Sequence, residues 1–360
     1  MKVDHICVNY GAELFQELFM ELHNKKIVQS VFYPRNSKHR KANPEVAFRI
    51  DSPMVLSLRT RVSFSWKRRI MRQGYDPLFH RNKPDILHAH TLFSDGSLAN
   101  YYYEKYDTPF VVAIRSSDLD VFLKFKPWLK RYGLQILENA RYIVFISPSL
   151  KRKFLREFGS RFESKSMIIP NGISQSYLES VPPKMRGLHT PLEVLYVGSF
   201  LKRKNVPALI KLSDKTGVKL SLVGGGGTEE KKVRHLSAKS DKITYLGRIE
   251  DPSKLLELYR QSDIFVMVSK RETFGLVYIE AMSQGLPVIY SKNTGIDGLF
   301  EQGSVGYGVN PGSVPEMIEG VDRIVADYEE ISHTCVSEAR QFNWSSIAER
   351  YLRIYKKIVS

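Results

Sequence analysis

The stretch Ile264-Phe-Val-Met-Val-Ser-Lys-Arg-Glu-Thr-Phe-Gly-Leu-Val-Tyr-Ile-Glu-Ala-Met-Ser-Gln-Gly-Leu-Pro-Val-Ile-Tyr290 reads as strand, loop, helix and strand. The apolar run Ile264–Val268 is short and unbroken, the pattern of a strand buried on both faces. Ser269 to Thr273 form the loop leaving its C-terminal end. A helix then opens at the Phe274-Gly275 turn, and Gly285 and Pro287 close it before the second strand. In open α/β sheets ligands collect at this strand edge. A helix start there offers free amides that attract anions, phosphate above all. Two carboxylates, Glu272 and Glu280, flank the turn. If the whole segment were helical, its eight steps would rise about 12 Å. That suits a diphosphate with a sugar at one end and a nucleoside at the other. A Glu near a helix start is also ordinary capping chemistry, so the order of the surrounding elements carries the nucleotide-sugar reading.

Outward from this stretch, β-type runs alternate with helical segments twice over. The first half offers strands at Val3–Asn9, Ile27–Tyr33, Ile86–His90, Phe110–Ile114, Tyr142–Ser147 and Met167–Pro170. The second offers Glu193–Gly198, Lys219–Val223, Ile243–Leu246, Ile264–Ser269, Val288–Ser291 and Gly306–Val309. The expected fold class is α/β with two doubly wound, mostly parallel sheets. Turn formers from Asn171-Gly172 through Pro182-Pro183 to Pro191 read as a linker. Apolar residues at Ile347, Tyr351, Ile354, Tyr355 and Ile358 argue an amphipathic helix near the end. The expected domains are therefore 1–180, 181–340 and a terminal helical segment, 341–360.

A length of 360 residues allows two ordinary cores, and 42% hydrophobic with 26% charged residues is a normal globular balance. Cys7 and Cys335 make neither a disulfide framework nor a metal spacing; they fit a reducing compartment, and Cys7 reads as core. Asp4 and His5 stand where a signal peptide would be apolar, and no run is long enough to span a membrane. The net charge of +16 is uneven: residues 1–180 carry 29 Lys and Arg against 17 Asp and Glu, the remainder 25 against 21. Basic residues concentrate at Arg59-Thr-Arg61, Lys67-Arg68-Arg69 with Arg72, Lys124 to Arg131, and Lys151-Arg152-Lys153. Phe64, Trp66, Ile70 and Met71 interleave with the second group, which suits a helix lying on an anionic membrane surface. A solvated helix face is the plain alternative. No nucleic-acid motif accompanies the charge, so no nucleic-acid partner is expected.

Residues 264–290 resemble the signature of the retaining GT-B glycosyltransferases of family four, whose Glu-x7-Glu motif grips the donor. The resemblance is strong over residues 192–310, moderate over 86–175 and faint before residue 85. It implies two facing Rossmann-like domains, a return helix crossing back to the first, a nucleotide-sugar donor and no metal cofactor. Glu272 would hold the donor sugar and Glu280 the ribose hydroxyls, with the amides of Phe274, Gly275 and Leu276 facing the phosphates. After Gly198 the family places an Arg and, five residues later, a Lys on the diphosphate. Lys204 matches the Lys, but Ser199 replaces the Arg, leaving Lys202 or Arg203 to supply the charge. Cations belong there because charge builds on the departing phosphate. Arg248, at the end of the strand near Tyr245, would pack on the nucleobase. Gly224-Gly-Gly-Gly227 is either a close backbone approach or a simple turn.

On the acceptor side, His88-Ala-His90 resembles the family's strand-end pair, and its spacing does not by itself make a metal site. Arg115 stands where many relatives carry a His. It cannot act as a general base, but could hold an acceptor phosphate or a sugar hydroxyl. Asp118-Leu-Asp120 is an Asp-x-Asp, the metal motif of the other large glycosyltransferase fold. Gly11 takes the place of a Gly-rich acceptor loop, and Asn171-Gly172 matches a family turn near the cleft. The resulting expectation is a retaining transferase, cytoplasmic and peripheral to the inner face of the membrane. It would move a sugar from a UDP- or GDP-linked donor to a lipid-carrier-linked saccharide in surface-polysaccharide synthesis. Catalysis is assigned to Glu272, Lys204 and Arg115. A GT-B sugar-nucleotide epimerase and a basic nucleic-acid-binding module are the alternatives.

Overall fold

The computed structural model describes residues 1–36, 46–179 and 187–360. Pro182-Pro183 of the expected linker and the side chain of Arg61 lie outside the described residues. The chain forms two units. One comprises 1–146, 150–171 and 344–360, the other 147–149 and 172–343.

In the first unit seven parallel strands make one sheet: β1 (Lys2–Ile6), β2 (Val28–Phe32), β3 (Arg49–Asp51), β4 (Ile86–Ala89), β5 (Phe110–Ile114), β6 (Tyr142–Phe145) and β7 (Ser166–Ile168). Their order is β3-β2-β1-β4-β5-β6-β7. Only β3 escapes the sequence reading, because three edge residues are too few to show a period. Helix α1 (Glu13–Asn24) covers one face, and α2 (Leu58–Val62), α3 (Phe64–Asn82) and α4 (Ser94–Tyr106) follow. In the second unit β8 (Glu193–Val197), β9 (Lys219–Val223), β10 (Ile243–Gly247), β11 (Ile264–Met267), β12 (Val288–Ser291) and β13 (Gly306–Val309) order as β10-β9-β8-β11-β12-β13, again all parallel. Each sheet reverses its strand order once, at β1/β4 and at β8/β11, and such reversals open the crevice where ligands bind.

The second unit adds α5 (Pro252–Gln261) and α6 (Leu276–Ser283). The chain ends in α7 (Trp344–Val359), whose Trp344, Ile347, Tyr351, Ile354 and Tyr355 join Phe15, Phe19 and Leu22 of α1 in the core of the first unit. Burying such side chains contributes about 1.5–3 kcal/mol each, which ties the chain's last helix to its first unit. The units divide at 171/172 and 343/344, and the boundary expected at 180/181 lies outside the described residues. Among the described residues no helix is long and apolar enough to cross a membrane. Cys7 and Cys335 are buried free thiols.

Candidate active site

Helix α6 begins at Leu276, with Gly275 as its left-handed cap (φ +86°), so Glu272 lies in the preceding loop and the segment is not helical throughout. A Cβ on Gly275 would sit 2.6 Å from the Tyr278 ring, which is why glycine stands at the turn. Glu272 is fixed from three sides. Its Oε2 accepts from Lys204 Nζ at 2.5 Å, and its Oε1 accepts from the amide of Thr273 at 3.0 Å. Its own amide donates to Thr294 Oγ1 at 2.7 Å, while the Thr294 hydroxyl donates back to the Glu272 carbonyl at 2.6 Å. Lys204 and Glu272 side chains are only 11% and 10% exposed. An ion pair so sheltered costs several kcal/mol to break from one side. The first amides of α6 have no intrahelical partners, and they adjoin this pair.

Lys204 ends a 3-10 turn, Lys202–Lys204, in the loop after β8. Both candidates for the missing charge are exposed. Arg203 Nη1 lies 3.8 Å from Glu272 Oε2 and donates to the Arg271 carbonyl, whereas Lys202 makes no ion pair among the described residues. Ser199 is half-buried, and its carbonyl accepts from Tyr196 Oη. The run Gly224–Gly227 is a close backbone approach. A Cβ on Gly224 would meet the Gly198 carbonyl oxygen at 1.9 Å, and one on Gly227 the Phe200 oxygen at 2.7 Å. The glycines thus serve the contact between two loops. Arg248 is well exposed and pairs with Glu250 at 3.4 Å.

Glu280 sits one helical stretch further on. Its Oε2 accepts from Tyr259 Oη of α5 at 3.0 Å. The carboxyl is half-exposed at its surface yet closely enclosed, and that burial raises its pKa to about 7, opposed by the Tyr259 hydrogen bond. Tyr259, Thr294 and Tyr278, whose hydroxyl donates to the Met267 carbonyl, were not singled out from the sequence. Thr294-Gly295 follows the strand end of β12, the position that could have flagged it.

In the first unit a cavity of about 980 Å³ opens beside β1 and β2, lined by Gly11, Phe15, Tyr33, Lys67, Phe122 and Phe125 among others. A Cβ on Gly11 would lie 2.7 Å from Tyr33 Oη, so this glycine brings backbone against the cavity wall. Arg115 packs its guanidinium over the Phe15 ring at 5.1 Å and donates Nε–H to the His90 carbonyl at 3.2 Å. His90 is wholly buried, in tilted contact with His5 and His88 and edge-on contact with Phe15 and Phe19. Burial and neighbouring imidazoles hold its pKa well below the usual value, keeping it neutral. Asp118 is also fully buried. Its Oδ2 accepts from the amides of Leu92 and Arg115, and burial raises its pKa to about 6. Asp120 instead pairs with Lys153, so the Asp-x-Asp does not converge on one point. Asn171 is half-buried at the end of the unit.

The charged helix α3 differs from the expected membrane face. Phe64 and Met71 point into the core, and Lys67 Nζ turns inward to Ser94 Oγ at 2.6 Å. Burial lowers the Lys67 pKa, opposed by Asp95. Of the expected apolar residues Trp66 does face solvent, and Leu58 (73% exposed), Val62 (81%), Phe125 (67%) and Trp128 (70%) face it more fully.

Comparison with known proteins agrees with this geometry. The family model for glycosyl transferases group 1 matches residues 183–342, and that for glycosyltransferase family 4 matches residues 12–177. The chain belongs to the GT-B glycosyltransferases of family four. Among relatives of this family, the capsular polysaccharide biosynthesis glycosyltransferase CapM of Staphylococcus aureus is 26% identical over 69% of this chain and 70% of its own. The chain spans about half the length of several other curated relatives, 59%, 45% and 55% in three cases. Two solved structures share the fold. The lipopolysaccharide outer core galactosyltransferase WaaB superposes with TM-score 0.74 at 18% identity, covering 99% and 100% of the two chains. Anabaena HepE in complex with UDP superposes with TM-score 0.73 at 16% identity over the same shares.

Proposed function

We propose that the protein is a retaining glycosyltransferase that moves a sugar from a UDP- or GDP-linked donor to a lipid-carrier-linked saccharide in surface-polysaccharide synthesis. The observation that carries this reading is the Glu272 carboxylate, held by Lys204, Thr273 and Thr294 beside the amide-lined start of α6. Glu272 binds hydroxyls of the donor sugar. Lys204, Arg203 and the amides of Phe274, Gly275 and Leu276 neutralise the diphosphate as the glycosidic bond breaks. These groups stand in for a metal ion, so no metal cofactor is proposed. Glu280 takes the ribose hydroxyls, and Arg248 reaches the base from beyond Gly198 and the glycine run. The first unit takes the acceptor, with Gly11 at its cavity, Arg115 packed on the Phe15 wall, and His90, Asp118 and Asn171 as its supports.

The acceptor hydroxyl attacks the anomeric carbon from the side the diphosphate leaves, and the leaving phosphate oxygen takes its proton. The UDP bound to HepE and the lipopolysaccharide and capsule roles named for WaaB and CapM support the substrate classes. The exposed Leu58, Val62, Phe125 and Trp128, set among basic residues, support peripheral attachment to the inner, anionic face of the membrane. A thermal-shift screen across nucleotide sugars tests the donor assignment. Stabilisation by UDP or GDP that Glu280→Gln and Lys204→Ala both weaken is the expected outcome. An absence of any nucleotide response removes it. Donor turnover without acceptor would favour the epimerase alternative.

A further inference from the structure

Several of the first unit's basic residues have acidic partners. Lys130 pairs with Glu157, Lys151 with Glu163, Lys153 with Asp120 and Arg161 with Glu138. Arg68, Arg69 and Arg72 do not. Among the described residues none of them forms an ion pair; each lies against an aromatic ring instead. Arg68 sits 4.3 Å from the Tyr132 centroid, Arg69 5.7 Å from Trp66 and Arg72 4.9 Å from Tyr101. The spacing of residues 68 and 72 places them on one face of α3, with 69 in the adjoining row. Across from them α4 contributes Ser97 and Tyr101, and the two helices enclose a cleft of about 380 Å³ that Ser65 also lines.

Three like charges gathered in one concavity repel one another. The rings hold their planes in place, which leaves the cleft short of an anion. Guanidinium forks match the oxygens of a phosphate in pairs, as ammonium groups do not. Trp66 is 40% exposed beside Arg69, and Leu58 and Val62 of the preceding helix α2 project into solvent. A phosphate carried on an acyl chain fits both features, since its head would meet the arginines while apolar residues lie at hand. We propose that this cleft is a discrete binding site for the phosphate of an anionic lipid headgroup, separate from the donor and acceptor sites. It rests on the membrane reading above but makes a narrower claim: a built site, where diffuse attraction by the +16 charge would need none.

The test is co-sedimentation with vesicles of phosphatidylcholine alone or mixed with phosphatidylglycerol. Three proteins are compared after circular dichroism has checked their folds: wild type, R68Q/R69Q/R72Q, and K211Q/K215Q/K239Q. The last removes the same charge from exposed positions of the second unit. Wild type should prefer the mixed vesicles. The arginine variant should bind them at least about tenfold more weakly, and the lysine variant within about twofold of wild type. R68K/R69K/R72K should recover only part of the loss, because it keeps charge without the fork. Equal losses in the arginine and lysine variants would overturn the cleft and leave diffuse attraction. Undiminished binding by the arginine variant would also overturn it while sparing the membrane reading. No binding of mixed vesicles by wild type would overturn both.

Discussion

The two units solve opposite problems beside their sheets. At β8/β11 the second unit gathers a compact polar cluster in which Glu272, Lys204 and Thr294 already hold one another at 2.5–2.7 Å. Beside β1 and β2 the first unit leaves a cavity of about 980 Å³ with aromatic walls drawn from well-separated segments. A diphosphate is common to UDP- and GDP-linked donors, so a fixed cradle serves it. Acceptors differ, and a roomy apolar-walled cavity can be reshaped residue by residue. The contrast teaches that rigidity belongs where the ligand is constant.

The contrast is broken most severely at Glu272. Glu272→Ala should lower kcat by about 10²–10³, measured as transfer of radiolabelled sugar; near-wild-type transfer would dissolve the donor-side half of the comparison. Lys204→Ala should cost about 10–10² in turnover and also lower Tm, since Glu272 then keeps Arg203 only at 3.8 Å. If its kinetics are unchanged, Arg203 carries the charge alone. Glu280→Gln should weaken UDP binding about tenfold, read by calorimetry, and flatten its pH dependence. In the wild type affinity should rise with pH through about 7, where the carboxyl becomes a full acceptor.

The same shift carries a stability sign. A carboxyl raised from 4.5 to about 7 imposes no penalty below the lower value and its full penalty above the higher one. Glu280→Gln should therefore stabilise the ligand-free protein at pH 8 by on the order of 1 kcal/mol, and hardly at all at pH 4.5. The smallest effect is expected in the first unit. Gly11→Ala, which presses on Tyr33, should raise the acceptor KM a few-fold and leave UDP affinity untouched. A change in UDP affinity instead would blur the division of labour.

How much of this was legible in the sequence follows the same divide. Twelve of the thirteen strands show as apolar runs, as does the α7 stripe at Ile347, Tyr351, Ile354 and Tyr355, because burial on a sheet or helix face imposes a period. The second site was legible because its residues are close in sequence and sit on a strand-loop-helix. Thr294 and Tyr259 were not, since they reach Glu272 and Glu280 from 22 and 21 residues away. The cavity of the first unit was illegible for the same reason on a larger scale. Nor could composition say that Lys67 turns inward while Arg68 and Arg69 stay outside, because only the helix phase separates them.

The meeting of Gly198 and Gly224 has a consequence for how this molecule can change. Where a single methyl would land 1.9 Å from a carbonyl oxygen, adjacent strands of the second sheet are geared together through bare backbone. The turn bearing Lys204 is therefore not an independent arm. Remodelling it requires moving its neighbour too, so new donor preferences are more accessible through side chains around the rim than through any redrawing of the loops.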